Sequence, residues 1–329
     1  MPWANLKVSM KRLISPYSDI KIFSGTSNRA LAESICSFLG IKISRVKIEN
    51  FPDGEIGVQI EESIRGDDVF IIQSTNFPAN DNYMELLILI DAAKRASAGR
   101  ITAVLPFFGY ARQDRKDKSR VPVTAKLVAN LLVAAGADRI LSMDMHSQQL
   151  VGFFDIPVDH LFASALFIKH LRNESTKNLT ICSPDFGSAK MAVSYADALG
   201  CPLALVGKRR LGGNDVESLN VIGEINGRDI LFVDDMVVTA KTLVEAAKLL
   251  KKNGARSIKA AVTHCILTKL GYDLITNSVI DQFLTTNSTQ IAYANERFTI
   301  LNINGIFGEA IMRIHNNTSI TDLFEIKGS

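Results

Sequence analysis

The sequence predicts an α/β protein with two similar, doubly wound domains, each built on an open and mostly parallel sheet. Three observations carry that expectation. Apolar runs rich in β-branched residues alternate with helical patterns along most of the 329 residues. These runs are continuously apolar, as in strands covered on both faces. One stretch, "DDVFIIQST…MELLILIDAAKRASAGRITAVLPFF", returns loosely as "RDILFVDDM…TLVEAAKLLKKNGARSIKAAVTHC". Each copy reads strand, loop, helix, Gly, strand, the signature of a parallel βαβ unit.

Strands are expected at 21–25, 69–74, 100–108, 139–144, 179–185, 203–207, 229–235 and 258–265. "FPDGEIGVQI" (51–60) reads as a turn at Asp53-Gly54. A Phe beside acceptors there suits a purine base, and a bare hairpin turn is the plainer reading. Helices are expected at Met84–Ala98 and Thr242–Asn253. In the second, Leu243, Ala246, Ala247 and Leu250 share one face, and Gly254 is a stop signal. "KHLRNESTKN" (169–178) is the most polar connector mid-chain. The expected division is an extension over 1–18, a first domain over 19–165 and a second over 166–329, whose C-terminal segment packs back on the first.

Charged residues are 22% and hydrophobic ones 47%, the balance of a soluble globular chain. A net charge of +3 is too small to argue for nucleic acid by itself, and no nucleic-acid partner is expected. Basic residues nevertheless cluster in "RQDRKDKSR" (112–120) and at Lys208-Arg209-Arg210. The cysteines Cys36, Cys182, Cys201 and Cys265 are scattered without a CxxC pair, which reads as buried thiols in a reducing compartment. No run approaches the ~20 apolar residues of a membrane span, and the first residues lack a secretion signal. The expected location is the cytoplasm.

Ligands of open α/β sheets collect at the carboxyl ends of strands. Those ends carry Arg112 and Gln113, Asp144 and His146, Asp185, Lys208 to Arg210, and Asp234 and Asp235. In "VDDMVVTAKT" (233–242) an apolar strand runs into two carboxylates, and Thr239 and Thr242 then open a helix whose N–H groups and dipole suit an anion. The carboxylates suit sugar hydroxyls or Mg²⁺; two acidic caps are the plainer reading. A GxxxxGK[ST] loop is absent. His146, with Asp144 and Asp185 at neighbouring strand ends, is either structural or part of a sparse Mg²⁺ site. "VGKRRLGGNDVES" (206–218) is either a solvated surface loop or a mobile lid that brings cations onto polyphosphate.

These segments, from about Ile20 to Phe324, together resemble the ribose-phosphate diphosphokinase (phosphoribosyl pyrophosphate synthetase) family. "FPDGE", "NDNYMELLILIDAAKRASAGRITAVLPFFGYARQDRK", "DMHSQQLVGFFDIPVD", "SPDFG", "KRR" and "VDDM" are its signature stretches. A phosphoribosyltransferase would share the 234–242 loop yet would not need "FPDGE", "ARQD" or "KRR". The resemblance implies a type I phosphoribosyltransferase-like fold and transfer of a diphosphoryl group from MgATP to ribose 5-phosphate. It implies ATP contacts at Phe51, Asp53, Gly54, Glu55, Arg112, Gln113 and Asp117, the first four supplied by a neighbouring subunit. It implies Mg²⁺ at His146 and Asp185, and transition-state cations at Lys208 and Arg210. The ribose 5-phosphate site falls on Asp234, Asp235, Val238, Thr239, Ala240, Lys241 and Thr242. A homohexamer built from dimers is implied, with inorganic phosphate as an activator near Ser119, Arg120, Ser319 and Phe324.

The phosphate loop departs from the family's usual Asp-Thr-x-Gly-Thr or Glu-Thr-x-Gly-Thr. Val238 replaces the acid and Lys241 the glycine, and Ser188 stands where a second glycine is common after "SPDFG". If the replaced glycine needs φ > 0, Lys241 strains the loop. An active synthetase is the expected function. The alternative is a weakly active or non-catalytic subunit that regulates an active partner.

Overall fold

Five parallel strands make the first sheet: β1 (Ile20–Ser24), β4 (Asp68–Ile72), β5 (Arg100–Leu105), β6 (Arg139–Met143) and β7 (Val158–Leu161), hydrogen-bonded in that order. The computed structural model describes residues 17–174, 176–211 and 216–323. Most of the N-terminal extension and Phe324 therefore lie outside the described residues. Every residue of β4 and β5 is buried, which explains the apolar run Val69–Ile72 and the mostly apolar Ile101–Leu105 that follow their charged first residues. Strands β2 (Val46–Asn50) and β3 (Ile56–Ile60) form a separate antiparallel hairpin whose turn is residues 51–55. Gly54 takes φ 92° there, a conformation that glycine adopts without a Cβ clash.

The second sheet is larger. It runs β10 (Val216–Ile222), β9 (Leu203–Leu211), β8 (Leu179–Ser183), β11 (Asp229–Val237), β12 (Ser257–Cys265), β13 (Gln282–Thr286), β14 (Phe298–Leu301), parallel except for β9 with β10. Strand β9 pairs with β8 only as far as Leu205. Its remainder pairs with β10 alone, as a two-stranded arm that carries Lys208 and Arg210 opposite Leu219 and Glu217. The cationic cluster is thus strand backbone, not a loop, and residues 212–215 lie outside the described residues.

Helices cover both sheets on both sides. α2 (Ala79–Arg95) and α3 (Thr124–Ala135) close one face of the first sheet, around Leu86, Leu89, Ala129 and Leu132. α6 (Lys241–Lys252) closes one face of the second, around Leu243, Ala247 and Leu250. Gly254, at φ 90°, follows it. A shared core fills the space between the remaining faces. In it Phe70, Leu141 and Met143 of the first sheet join Ile181, Leu231 and Val233 of the second. Phe167 of α4 (Ser164–Leu171), Tyr195 of α5 (Ala189–Leu199) and Phe307 and Ile311 of α8 (Asn304–His315) complete it. α8 packs on α1 (Arg29–Leu39), where Asn304 Nδ2 donates to the Ser34 carbonyl at 3.3 Å. We place the division between the halves between β7 and β8, with α8 returning to the first half.

Candidate active site

The carboxyl ends of β6, β8 and β11 converge on one cleft of about 730 Å³, bordered by the start of α6. From β6 the chain turns through Asp144 to His146; from β8 it turns to Asp185; β11 delivers Asp234 and Asp235. His146 Nδ1 lies 2.8 Å from Asp235 Oδ2, so the two halves meet through this pair. The bond to Asp235 raises the His146 pKa, with burial opposing it. Asp234 is pushed far above the usual carboxylate range by burial first, then by the charges of Asp235 and Asp185. Three carboxylates thus crowd one end of the cleft.

The 234–242 loop carries β11 into α6 without strain at its altered positions. The positive φ falls on Ala240 (58°), while Lys241 is the first residue of α6. Lysine at 241 therefore introduces no strain of the kind a lost glycine would bring. Ser188 likewise sits at φ −90°, where no glycine is required. The loop is braced from behind: Thr268 N donates to the Val238 carbonyl at 3.2 Å. Gly271 of α7 (Lys269–Thr276) permits that closeness, since a Cβ there would stand 2.6 Å from the same oxygen. No side chain caps the amino end of α6 and its first turn holds no acid, so its positive end is available to an anion in the cleft.

Of the sequence-derived residues, Arg112, His146, Asp185, Asp234, Asp235 and the whole stretch Val238–Thr242 line this cleft. Phe51, Asp53, Gly54 and Glu55 do not line it. They form the exposed β2–β3 turn, closed by Phe51 N to the Glu55 carbonyl at 2.8 Å and Glu55 N to Asp53 Oδ1 at 3.2 Å. Gln113 is turned aside to accept from the Thr124 hydroxyl. Asp117, Ser119 and Arg120 lie on the exposed loop before α3, and Ser319 is exposed beyond α8, where its carbonyl accepts from Arg313 at 2.7 Å. Asp185 Oδ1 is committed to its own loop, accepting from Gly187 N at 2.8 Å and Ser188 N at 3.3 Å. Among the described residues no group of three His, Cys, Asp or Glu side chains gathers as a ready metal site.

The sequence reading missed His160, Thr263 and His264. His160 accepts from Met145 N at 2.9 Å, and burial followed by His264 lowers its pKa to about 4. His264 is buried, and that burial lowers its pKa to about 4. Its signal was in the sequence, since a His next to Thr inside an otherwise apolar run must find partners when buried.

The comparisons agree with one another. The N-terminal domain of ribose phosphate pyrophosphokinase matches residues 20–136, and the phosphoribosyl synthetase-associated domain matches residues 213–325. A ribose-phosphate pyrophosphokinase of Chlorobaculum tepidum is 52% identical over 311 residues, covering 94% of this chain and 96% of that protein. One of Porphyromonas gingivalis is 47% identical, covering 93% and 98%. A crystal structure of phosphoribosylpyrophosphate synthetase from Mycobacterium smegmatis superposes with a TM-score of 0.87 at 37% identity, over 91% of this chain and 100% of that one. The paired, mostly parallel sheets are of the type I phosphoribosyltransferase-like kind.

Proposed function

This chain belongs to the ribose-phosphate pyrophosphokinase family and is an enzyme of that kind, and we propose that the cleft between its two sheets carries out the transfer. The observation that supports this reading is the meeting of His146, Asp185, Asp234, Asp235 and the open end of α6 in one cleft. The anomeric hydroxyl of ribose 5-phosphate attacks the β-phosphorus of ATP. A new O–P bond forms as the hydroxyl gives up its proton to water, the bond from the β-phosphorus to the α,β-bridging oxygen breaks, and AMP leaves with that oxygen. Such a transfer depends on in-line placement and charge neutralisation more than on covalent help.

Each group has a task. The N–H groups at the start of α6, with Thr239, Thr242 and Lys241, hold the 5-phosphate. Asp234 and Asp235 accept from the ribose hydroxyls, and each bond to the sugar relieves their mutual crowding. Arg112 reaches the ATP phosphates, and Lys208 and Arg210, which the arm carries, are the cations assigned to the developing charge. His146 and Asp185 would hold Mg²⁺, which would supply neutralisation of the phosphate charge. The sparse donor set, His146 with Asp185, fits an ion that takes most of its ligands from phosphate and water.

The β2–β3 turn contributes its Phe51, Asp53, Gly54 and Glu55 to the adenine and ribose of ATP in a neighbouring copy, within a homohexamer built from dimers. Gln113 and Asp117 join that ATP set, and Ser119, Arg120, Ser319 and Phe324 a phosphate-responsive site between copies. No helix among the described residues is long and apolar enough to cross a membrane. The reading places the enzyme in the cytoplasm, supplying activated ribose for nucleotide biosynthesis.

The test is AMP formation from MgATP with and without ribose 5-phosphate, in phosphate buffer. AMP release should depend on the sugar, and Lys208→Ala should reduce turnover by about 10²–10³ while ATP binding persists. Sugar-independent AMP release, or none at all, would overturn the catalytic reading.

A further inference from the structure

We propose that Asp144, Thr263 and His264 form a buried positioning clasp between the two sheets, which sets the approach of His146 to Asp235. The proposal rests on the catalytic reading of the cleft given above. Asp144 follows β6 and lies two residues before His146. It takes φ 37°, a region that non-glycine residues occupy when their surroundings over-determine them.

The surroundings here do so. Asp144 N donates to the Leu161 carbonyl at 2.9 Å. Asp144 Oδ2 accepts from Ala163 N at 3.1 Å and from the Thr263 hydroxyl, on β12 of the other sheet, at 2.7 Å. The next residue, Thr263's neighbour His264, places Nε2 at 3.2 Å from the Met143 carbonyl and 3.3 Å from the Asp144 carbonyl. Both partners are acceptors, so Nε2 carries the proton and Nδ1 accepts from the Ser288 hydroxyl at 2.8 Å.

Residues 143–145 are thereby held from β7 on one side and β12 on the other. Asp144, Thr263 and His264 are 5%, 1% and 1% exposed. Thr263 and His264 do not line the cleft, so neither is placed to touch substrate. Asp144 borders it, but its Oδ2 is spent on the two halves of the protein. β12 is also the strand that pairs with β11, Asp234 standing opposite Val262. One strand therefore fixes the backbone that carries Asp235 and, through the clasp, the turn that carries His146. Placement errors near 1 Å can cost ~10²-fold in rate, which gives the clasp its functional weight.

The experiment compares Thr263→Val with Thr263→Ser in the full-length enzyme, measuring kcat, the KM for each substrate and direct Mn²⁺ binding by electron paramagnetic resonance. Thr263→Val keeps the volume and removes the donor. It should lower kcat by ~10-fold or more with little change in KM, and Thr263→Ser should restore it. Should Thr263→Val fail to fold, Ser288→Ala tests the same clasp through His264 and should lower kcat by a smaller factor. Unchanged kcat in the folded Thr263→Val enzyme, or in Ser288→Ala where that variant stands in, would overturn the clasp. So would Asp144→Asn losing Mn²⁺ binding that Thr263→Val keeps, because Asp144 would then be a ligand. A parent enzyme without sugar-dependent AMP release would instead overturn the catalytic reading.

Discussion

In β4–α2–β5 and in β11–α6–β12, the two copies of the repeated unit, an Asp at the start of the first strand holds an Arg at or just before the start of the second. The first pair is inside the protein: the Asp68 side chain is 0% and that of Arg100 9% exposed. The second lies at the surface, with Arg256 62% and Asp229 23% exposed. At the opposite ends the contrast reverses. β4 runs into Gln73, Ser74 and Thr75, all buried and all bonded to neighbours such as Glu85, the Ser288 carbonyl and the Phe107 carbonyl. β11 runs into Asp234 and Asp235 at the corresponding positions and leaves them crowded at the cleft. The fold unit is the same. Neutral, mutually satisfied strand ends make a scaffold, and like charges held together make a site that a cation or a sugar must complete.

The largest effect expected from breaking this contrast is on stability, in the first copy. Arg100 donates to both Asp68 oxygens and to the Ile314 carbonyl at 3.0 Å, and Tyr17 stacks on it with 4.4 Å from guanidinium to ring centre. His315 Nδ1 reaches Asp68 Oδ2 at 2.9 Å, so this cluster ties α8 to the first sheet. Arg100→Met leaves Asp68 charged and without its main partner, and should cost about 3–5 kcal/mol in denaturant unfolding. A loss below ~1 kcal/mol would show that the buried pair is no firmer than a surface one.

Much of this scaffold was legible in the sequence. Eight apolar runs became strands, because burial on both faces demands an unbroken apolar string. β7, four residues long, gave no such signal, and its His160 went unnoticed. Asp144, His146, Asp185 and Asp234–Thr242 were legible because they end such strings. Of the clasp only the need of His264 for buried partners was legible; the partners were not, because Met143 and Asp144 lie more than a hundred residues earlier and Ser288 follows the next strand. Lys208 and Arg210 looked like loop residues because Gly212 and Gly213 follow them, yet an antiparallel partner extends their strand.

Acid pH also separates the two copies. Where the second copy has His264, the corresponding position of the first has Phe107, and the two rings meet edge-on at 5.0 Å. Burial holds His264 at a pKa of about 4, below its ordinary 6.5. Between those values the unfolded chain binds the extra proton and the native one does not. Stability therefore rises with pH across the window and is lost as pH falls from 6.5 through 4, by roughly 3 kcal/mol at most. His160, also near 4, titrates over the same range. His264→Phe should flatten the acid limb of the melting profile by about half, and a profile as steep as the parent's would assign that limb elsewhere.

The smallest effect belongs to the second copy's own ion pair. Arg256 meets Asp229 in a two-pronged contact at the surface, and the Ser257 hydroxyl shares Asp229 Oδ1 at 2.6 Å. The bond to Arg256 lowers the Asp229 pKa, with burial opposing, so the pair's contribution is present at neutral pH and lost as pH falls through the carboxylate range. Water and salt screen a pair placed here, and Ser257 can hold Asp229 without the arginine. Arg256→Ala should therefore leave the unfolding midpoint at neutral pH within experimental scatter of the parent, at low and high salt alike. If instead it shifts the midpoint as far as Arg100→Met does, burial is not what separates the two copies, and the division between scaffold and site has to be sought in the strand ends alone.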